Sequence, residues 1–345
     1  MDSVTQAVLG AAIGQAAFRR RLGRRALVFG AIGGTIPDLD IIGSAIDPFA
    51  EMWFHRGPTH SLVVIPLIAP IVGWLGHRTL GRRCDADVWV WIQLAFWALI
   101  THPLLDVFTS YGTQLLYPVS TQRFALDGVS IIDPIYTVPL MLCVAVGAWS
   151  RAPDALRGIT ALMLALTTGY LFWGTYLSQG VVQRARTTLS AQIGTDVQTA
   201  PDGVRAVPLI GTNRGFRVLA RTEDRIFIGH TNVRGSPLQF TSIPRRRAAV
   251  EAVIDTDRGR LFDWFSDGYW AGTSTTGLIR LSDLRFGSVL RPTQSLWGIE
   301  AKTGPDGIQE IRRWNRAAKA DISAEFEALR QRPAMAVAHW RQVRR

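Results

Sequence analysis

Two short stretches in the first third of the chain concentrate side chains that bind metal ions in proteins. Residues 37–61 hold four carboxylates and two imidazoles between two apolar runs, and residues 101–106 hold one imidazole and one carboxylate at the end of the next run. Imidazole together with carboxylate suits Zn²⁺, and also Fe or Mn. We therefore predict a divalent metal site, with zinc as the preferred ion, where the two stretches meet on one side of a membrane.

The spacing of the histidines indicates which side chains converge. His102 and Asp106 are four residues apart, so on a helix both side chains face the same way. His55 and His60 lie on either side of a Gly-Pro turn, and a proline there suits the first turn of the helix that follows. We expect these four residues to be the metal ligands. The alternative for His102 and Asp106 is a hydrogen bond that braces the helix end.

Three further residues are candidates for catalysis. Asp38 and Asp40 alternate, so an extended segment would point both carboxylates inward, where one ligates a metal while the other orients a histidine or acts as a base. Their alternative role is to cap the next helix. Arg56, like Arg123, is basic and on the same side, and could neutralise charge on a phosphate or carbonyl oxygen. The equal alternative for these arginines is an ion pair with Asp47, Glu51 or Asp127.

The elements that must position these residues are apolar runs that approach the length of a membrane span. Four runs cover residues 61–76, 88–105, 131–149 and 155–178, and two shorter ones cover residues 4–18 and 26–36. Spanning hydrocarbon takes about 20 residues. The first basic cluster follows the first run instead of preceding it, so we expect no cleavable signal peptide. The predicted fold class is a mainly α membrane protein, with a helical bundle of four to six membrane segments over residues 1–180.

Arginine counts predict how this bundle is oriented. The three loops with basic clusters hold ten Arg, whereas the opposite side of the bundle holds only Arg56 and Arg123. Basic residues in short loops mark the cytoplasmic side. The expected metal site and the C-terminal half then lie on the non-cytoplasmic side of the membrane, as parts of a multi-pass protein.

Residues 181–345 are predicted to form an extramembrane α+β domain. Strands are expected at 204–209, 216–220, 225–229, 249–254 and 277–281, and an amphipathic helix at 322–332. This half holds 26 basic and 16 acidic residues. Outside the cytoplasm, anionic membrane lipid is the expected partner of such a charge, and nucleic acid is not. The turn Asp283-Leu284-Arg285 is the expected contact with substrate.

Six short motifs stand out along the chain. They are Asp2-Ser3-Val4-Thr5-Gln6, Pro37-Asp38-Leu39-Asp40, His55-Arg56-Gly57-Pro58-Thr59-His60-Ser61, His102-Pro103-Leu104-Leu105-Asp106, Ile132-Asp133-Pro134 and Ser282-Asp283-Leu284-Arg285-Phe286-Gly287. As a set they resemble the YdjM-type family of bacterial and archaeal inner-membrane proteins. The resemblance implies a metal-dependent hydrolase, with distant similarity to zinc-dependent phospholipase C and P1-type nucleases and hence phosphoester chemistry. Gln6 departs from the family pattern, because many members carry His there.

Other signatures of catalysis are missing from the sequence, which has no glycine-rich phosphate loop, CxxC pair, nucleophile elbow or HExxH motif. The leading hypothesis is a membrane-bound metal-dependent hydrolase that acts at the bilayer edge on a phosphoester, a lipid-linked substrate or a small molecule. The alternative is a non-enzymatic membrane protein with a structural His/Asp cluster and a basic tail that binds a partner. An open metal coordination position would favour the enzyme, and a closed one the alternative.

Overall fold

A computed structural model describes residues 1–81, 85–150, 153–193, 203–245, 247–287, 294–305 and 307–315. The chain divides into two compact units. The first, which we call the helical unit, comprises Met1–Gly180 and Val207–Phe216. The second, which we call the sheet unit, comprises the described parts of Val181–Ala206 and Arg217–Arg345.

Helices dominate the first half of the chain. Asp2, Asp87 and Asp133 each accept a hydrogen bond from a backbone amide in the first turn of a helix, and such caps fix where these helices begin. In chain order the elements are α1 Ser3–Ile13, a π-helix Gly14–Phe18, α2 Arg19–Leu22, α3 Arg25–Thr35, a 3₁₀ helix Ile36–Ala45, α4 Ala50–Trp53, a 3₁₀ turn Pro58–His60, α5 Ile65–Leu80, α6 Val88–Val107, α7 Pro134–Trp149 and α8 Pro153–Ile193.

Three helical stretches within the described residues are long and apolar enough to cross a membrane, namely Arg25–Ala45, Val88–Val107 and Asp154–Gln192. Ala50–His60 and Ile65–Leu80 pass the same test together but are bent by 74°, as in a broken span or a re-entrant loop. Pro134–Trp149 is apolar but shorter. The predicted mainly helical fold is confirmed, with three or four candidate membrane helices among the described residues, while the count of four to six segments stays a prediction.

Helix α6 lies at the centre of the helical unit. Trp91, Leu94 and Ala98 are buried and follow one another at steps of three and four residues, which is the spacing of one helix face. His102 and Asp106 continue this face at further steps of four and are fully buried as well. The inward face of α6 therefore ends in an imidazole and a carboxylate.

Helices α1 and α3 approach each other through glycines. A Cβ added at Gly10 would lie 2.0 Å from the Gly30 carbonyl oxygen, and a Cβ added at Gly34 would lie 2.4 Å from the Gln6 carbonyl oxygen. Small residues four apart allow helix backbones to come this close. The side-chain amide of Gln6 also donates to the His102 carbonyl oxygen at 3.3 Å. The glycines bring α1 and α3 together, and the Gln6 amide connects α1 to the polar end of α6.

The strands form two four-stranded sheets in which the neighbours follow sequence order. The pairs recorded from β3 to β4 and from β5 to β8 are antiparallel. The first sheet contains β1 Val204–Pro208, β2 Gly215–Arg221, β3 Arg225–Asn232 and β4 Thr241–Pro244, and the second contains β5 Trp270–Thr275, β6 Leu278–Asp283, β7 Trp297–Gly304 and β8 Gly307–Asn315. Two helices, α9 Arg247–Ile254 and α10 Asp257–Phe265, separate the sheets in the sequence.

The strand predicted at residues 249–254 is wrong, because this segment belongs to α9. Val250, Val253 and Ile254 are its buried side chains. Their steps of three and one place them on a single helix face, which a strand would not do. The other four predicted strands correspond to β1, β2, β3 and β6, and the helix predicted at 322–332 lies outside the described residues.

The turn that was expected to contact substrate lies in the core of the sheet unit. Asp283 and Arg285 are fully buried and form an ion pair at 2.8 Å. The Arg285 guanidinium also lies 5.0 Å from the centre of the Phe265 ring. Because both charged groups point into the protein, the turn offers no exposed charge to a substrate.

Candidate metal centre

Four side chains of the helical unit place one potential ligand atom each within 4.8 Å of all the others: Asp38, His60, His102 and Asp106. We call them the quartet. The Nε2 atoms of His60 and His102 are 3.0 Å apart, and Asp38 Oδ1 lies 3.2 Å from Nε2 of His102. The side chains of His60, His102 and Asp106 are fully buried, whereas that of Asp38 is 18% exposed.

The spacing of the quartet fits a tetrahedral metal ion. Zinc bonds to nitrogen and oxygen of about 2.0–2.1 Å give a tetrahedron with edges of about 3.3–3.4 Å. The His60 Nε2 atom lies 3.6 Å from Asp38 Oδ1 and 3.5 Å from Asp106 Oδ2, and the His102 Nε2 atom lies 3.8 Å from Asp106 Oδ2. Together with the two shorter distances, these edges scatter around the expected value.

Hydrogen bonds on the far side of each ring turn both Nε2 atoms into acceptors. His102 Nδ1 lies 2.6 Å from the Gly34 carbonyl oxygen and must donate to it. Thr59 donates its hydroxyl proton to Asp40 Oδ2 at 2.6 Å, so its oxygen accepts from His60 Nδ1 at 3.0 Å. Each neutral imidazole then directs an Nε2 lone pair into the quartet. Two lone pairs at 3.0 Å repel each other unless a metal ion binds both or a proton lies between them.

Asp106 also keeps one oxygen available. Its Oδ1 accepts a hydrogen bond from Gln6 Nε2 at 3.0 Å and another from the Met1 nitrogen. Its Oδ2 is buried and makes no hydrogen bond, although Arg56 Nε lies 3.0 Å away and forms an ion pair with it. The angle of that contact is too poor for a hydrogen bond. Two imidazole nitrogens and two carboxylates, with Asp106 Oδ2 not used in a hydrogen bond, therefore fit a metal ion.

Asp40 lies behind His60 and outside the quartet. Its Oδ1 lies 2.7 Å from His55 Nδ1, and its Oδ2 accepts from the Arg56 backbone amide at 3.2 Å. His55, which was expected to be a ligand, therefore contacts Asp40 and is not one of the four converging side chains. Asp38 occupies the fourth corner instead.

The two aspartates are not on an extended segment as expected. Residues 36–45 form a 3₁₀ helix, and its three residues per turn send Asp38 and Asp40 in different directions. One reaches the Nε2 side of His60 and the other its Nδ1 side. The helix therefore separates a ligand position from an orienting position.

Arg56 forms an ion pair with Asp106, a partner that was not among those predicted for it. The side chain is buried, and its Nη1 donates to Thr109 Oγ1 at 2.9 Å. The guanidinium carbon lies 4.6 Å from the centre of the Tyr111 ring. The other arginine of this side, Arg123, donates to the Tyr111 and Gly112 carbonyl oxygens.

Three residues that position the quartet were not predicted to do so. They are Gln6, Gly34 and Thr59, which contact Asp106, His102 and His60. Gln6 and Thr59 lie within quoted motifs, so their sequence neighbourhood was a usable signal. The Gly34 carbonyl has no signal in the sequence, because every residue carries such a group.

The chain matches a family model over its first half and two curated proteins over part of its length. The family model described as YdjM inner membrane protein covers residues 1–181. A Bacillus subtilis (strain 168) protein with the name Uncharacterized protein YfhP is 24% identical over 207 residues, which make up 58% of this chain and 60% of that protein. Inner membrane protein YbcI of Escherichia coli (strain K12) is 31% identical over 127 residues, 35% of this chain and 69% of that protein.

No solved structure matches the chain, and the similarity to phospholipase C stays a prediction. The family match includes α1 and all four residues of the quartet. Because it covers more than half of the 345 residues, the chain belongs to the YdjM inner membrane protein family.

Proposed function

We propose that this protein is a membrane-bound, metal-dependent hydrolase whose metal ion is held by the quartet. The observation that carries the proposal is the convergence of four ligand atoms within 4.8 Å of one another, with each imidazole nitrogen 3.0–3.8 Å from the other three atoms and the second nitrogen of each ring hydrogen-bonded elsewhere. Four acceptors that face one another in a largely buried site are stabilised by a shared cation. Two imidazoles and two carboxylates favour zinc among the common divalent ions.

Zn²⁺ held by Asp38, His60, His102 and Asp106 would supply a Lewis acid and would lower the pKa of a coordinated water molecule to about 7. The residues behind the quartet hold its members in position. Asp40, through Thr59, fixes the ring of His60, and the Gly34 carbonyl fixes that of His102. Partners of this kind orient metal ligands and raise their basicity.

Asp38 and Arg56 have the catalytic roles in this proposal. Asp38 is the one member of the quartet with solvent exposure, so it can yield its place to an incoming group and take up a proton as a base. Arg56 brings a fixed positive charge within 3.0 Å of Asp106, where it offsets negative charge that develops on a phosphoester oxygen. His55 acts through Asp40 and does not ligate the metal.

The proposed substrate is a phosphoester or lipid-linked molecule at the bilayer edge. The quartet lies at the ends of candidate spans, since Asp38 belongs to Arg25–Ala45 and His102 to Val88–Val107. We place it on the non-cytoplasmic side of a multi-pass protein, together with the basic C-terminal domain, which would lie against anionic headgroups. Reporter fusions after Arg82 and after Gly203 should report opposite sides, and the same side at both would refute this orientation.

A structural metal site is the second candidate function. Four protein ligands around one ion form a closed site, which is typical of structural zinc. The count of four in the quartet is the observation that favours it. Under this alternative the protein is a non-enzymatic membrane protein, and its basic tail binds a partner.

Metal analysis of the detergent-purified full-length protein tests the site. The wild-type protein should hold about one divalent ion per chain, whereas His60→Ala and Asp106→Ala should hold far less while still inserting into the membrane. His77→Ala on α5 is the matched control, because His77 lies outside the quartet. Equal metal content in all of these proteins would refute the assignment.

The two candidate functions then separate by activity. Asp38→Asn should retain most of the metal, because three buried ligands remain, but should lose hydrolysis of phosphoester reporters if Asp38 acts as a base. A wild-type protein that holds one metal ion and hydrolyses no ester, with or without a lipid anchor, would favour the structural role.

A further inference from the structure

The 3₁₀ helix Ile36–Ala45 has three rows of side chains, because residues three apart overlie one another in this conformation. One row is directed into the protein and contains buried Pro37 and Asp40. The second row is apolar and exposed, with Leu39 at 57% and Ile42 at 64%. The third row, between them, begins with Asp38.

The exposed row continues the lipid-facing side of a candidate span. Val28 and Ile32 on α3 are 53% and 47% exposed, and Leu39 and Ile42 follow at helical steps. The span Arg25–Ala45 includes all four residues. An apolar face that continues a span is covered by lipid, since water would leave its branched side chains exposed.

The row that carries Asp38 borders this lipid face. The next residue of the row, Ile41, is 52% exposed. Asp38 is the only member of the quartet with an exposed fraction, 18%, while the other three are fully buried. The accessible corner of the proposed metal centre is therefore flanked by Leu39, Ile41 and Ile42.

We propose that the metal centre opens sideways to the bilayer, and that its substrate is a membrane amphiphile whose acyl chain lies on Leu39, Ile41 and Ile42 while its phosphate-bearing head reaches Asp38. This inference rests on the proposed metal site and selects a lipid over a small soluble molecule. Binding then grows with the acyl chain, by about fourfold for each methylene removed from water.

Phosphorus NMR on the full-length protein tests this route. The protein is loaded with Mn²⁺ in a detergent without phosphorus, unbound metal is removed, and the metal content is measured first. Glycerol 3-phosphate and 1-acylglycerol 3-phosphates of increasing chain length are then titrated. Because Mn²⁺ accelerates the relaxation of nearby phosphorus nuclei, each titration gives an affinity for the metal centre. We expect affinity to rise with chain length in the wild-type protein.

Two substitutions on the lipid-facing side of Arg25–Ala45 separate the route from simple partition into detergent. Ile42→Asn should lower the affinity for the longest lipid more than tenfold, which flattens the dependence on chain length, and should leave the metal content unchanged. Val28→Asn is on the same lipid-facing side but far along α3 from Asp38, so it should keep the wild-type dependence.

Three outcomes would overturn either the metal site or the lateral route. A wild-type protein that retains neither Mn²⁺ nor Zn²⁺ overturns the metal site itself. Bound Mn²⁺ with equal affinity for glycerol 3-phosphate and its acyl derivatives overturns the lateral route and leaves the metal site standing. The same chain-length dependence in Ile42→Asn and Val28→Asn assigns the effect to detergent and also overturns the route.

Discussion

Replacing Gly34 with alanine should weaken metal binding without touching any ligand. The added Cβ would lie 2.4 Å from the Gln6 carbonyl oxygen, whereas ordinary contacts begin at 3.4 Å. Helices α1 and α3 must therefore separate by about 1 Å, an overpacking that costs about 1–3 kcal/mol of unfolding free energy. The shift also displaces the Gly34 carbonyl that accepts from His102 Nδ1. Loss of such an orienting partner lowers metal affinity by about 10- to 100-fold.

Gly30→Ala is the matched control for this substitution. Its Cβ would lie 2.2 Å from the Gly10 carbonyl oxygen, an equal conflict at the same helix crossing but one turn farther from the quartet. Both variants should lower the thermal unfolding temperature by similar amounts, and only Gly34→Ala should lower zinc affinity in competition with a chromogenic chelator. Gly169→Ala on α8 meets nothing within 4 Å and should lower neither the unfolding temperature nor the zinc affinity. Wild-type zinc affinity in Gly34→Ala, or an equal loss in Gly30→Ala, would show that the carbonyl does not position His102.

Two further predictions concern a buried amide and a buried carboxylate. Gln6→Met should reduce zinc affinity about tenfold, because it removes the donor to Asp106 Oδ1 at 3.0 Å. Gln15→Met, at an equally buried glutamine, should lower only the unfolding temperature. The same zinc affinity in the two variants would contradict this prediction. Burial alone would raise the pKa of Glu300, but hydrogen bonds from two arginines outweigh it and bring the pKa below 4.5. The carboxylate therefore stabilises the fold above that pH, and the gain is lost as pH falls through the lower folded-state value. Glu300→Gln should lower the unfolding temperature of the full chain at pH 7. If the difference in unfolding temperature from the wild-type protein persists at acid pH, the Glu300 carboxylate does not stabilise the fold through its charge.

The parts of the fold that could be predicted depend on local sequence. The apolar run that became α6 is long, begins at a capping aspartate and carries titratable side chains only near its end. His102 and Asp106 share a face by spacing alone, so their convergence followed as soon as the run was assigned to a helix. The membrane character of the first half follows from the same runs.

The fourth member of the quartet could not be predicted in the same way. Asp38 and Asp40 are equivalent by type, and the choice between extended and 3₁₀ backbone decides which of them faces the histidines. That choice depends on packing against α3 and α6, which is not local. His55 was assigned as a ligand by type as well, but the position of Asp40 beside its ring gives it another partner.

The sheet unit shows a different limit. Its strands are short and pair with neighbours whose register the sequence does not display, so β4, β5, β7 and β8 were missed. The error at residues 249–254 arose because Val250, Val253 and Ile254 are β-branched and favour strands by propensity. Their spacing favours a helix, and spacing is the stronger signal when side chains are buried on one side.

A proton is the one alternative to a metal ion at the quartet, and the geometry discriminates between them. An additional proton on His60 Nε2 would be donated to His102 Nε2 at 3.0 Å, because Asp38 Oδ1 at 3.6 Å and Asp106 Oδ2 at 3.5 Å are too far for a hydrogen bond. That single proton would leave Asp38 Oδ1 facing an imidazole nitrogen without a proton at 3.2 Å and the buried Asp106 Oδ2 without a hydrogen bond. A divalent ion accepts all four lone pairs at once and matches distances near 3.4 Å. The quartet is therefore better suited to bind a metal ion than to share a proton, and a site that is otherwise so costly to bury gains its stability when the ion binds.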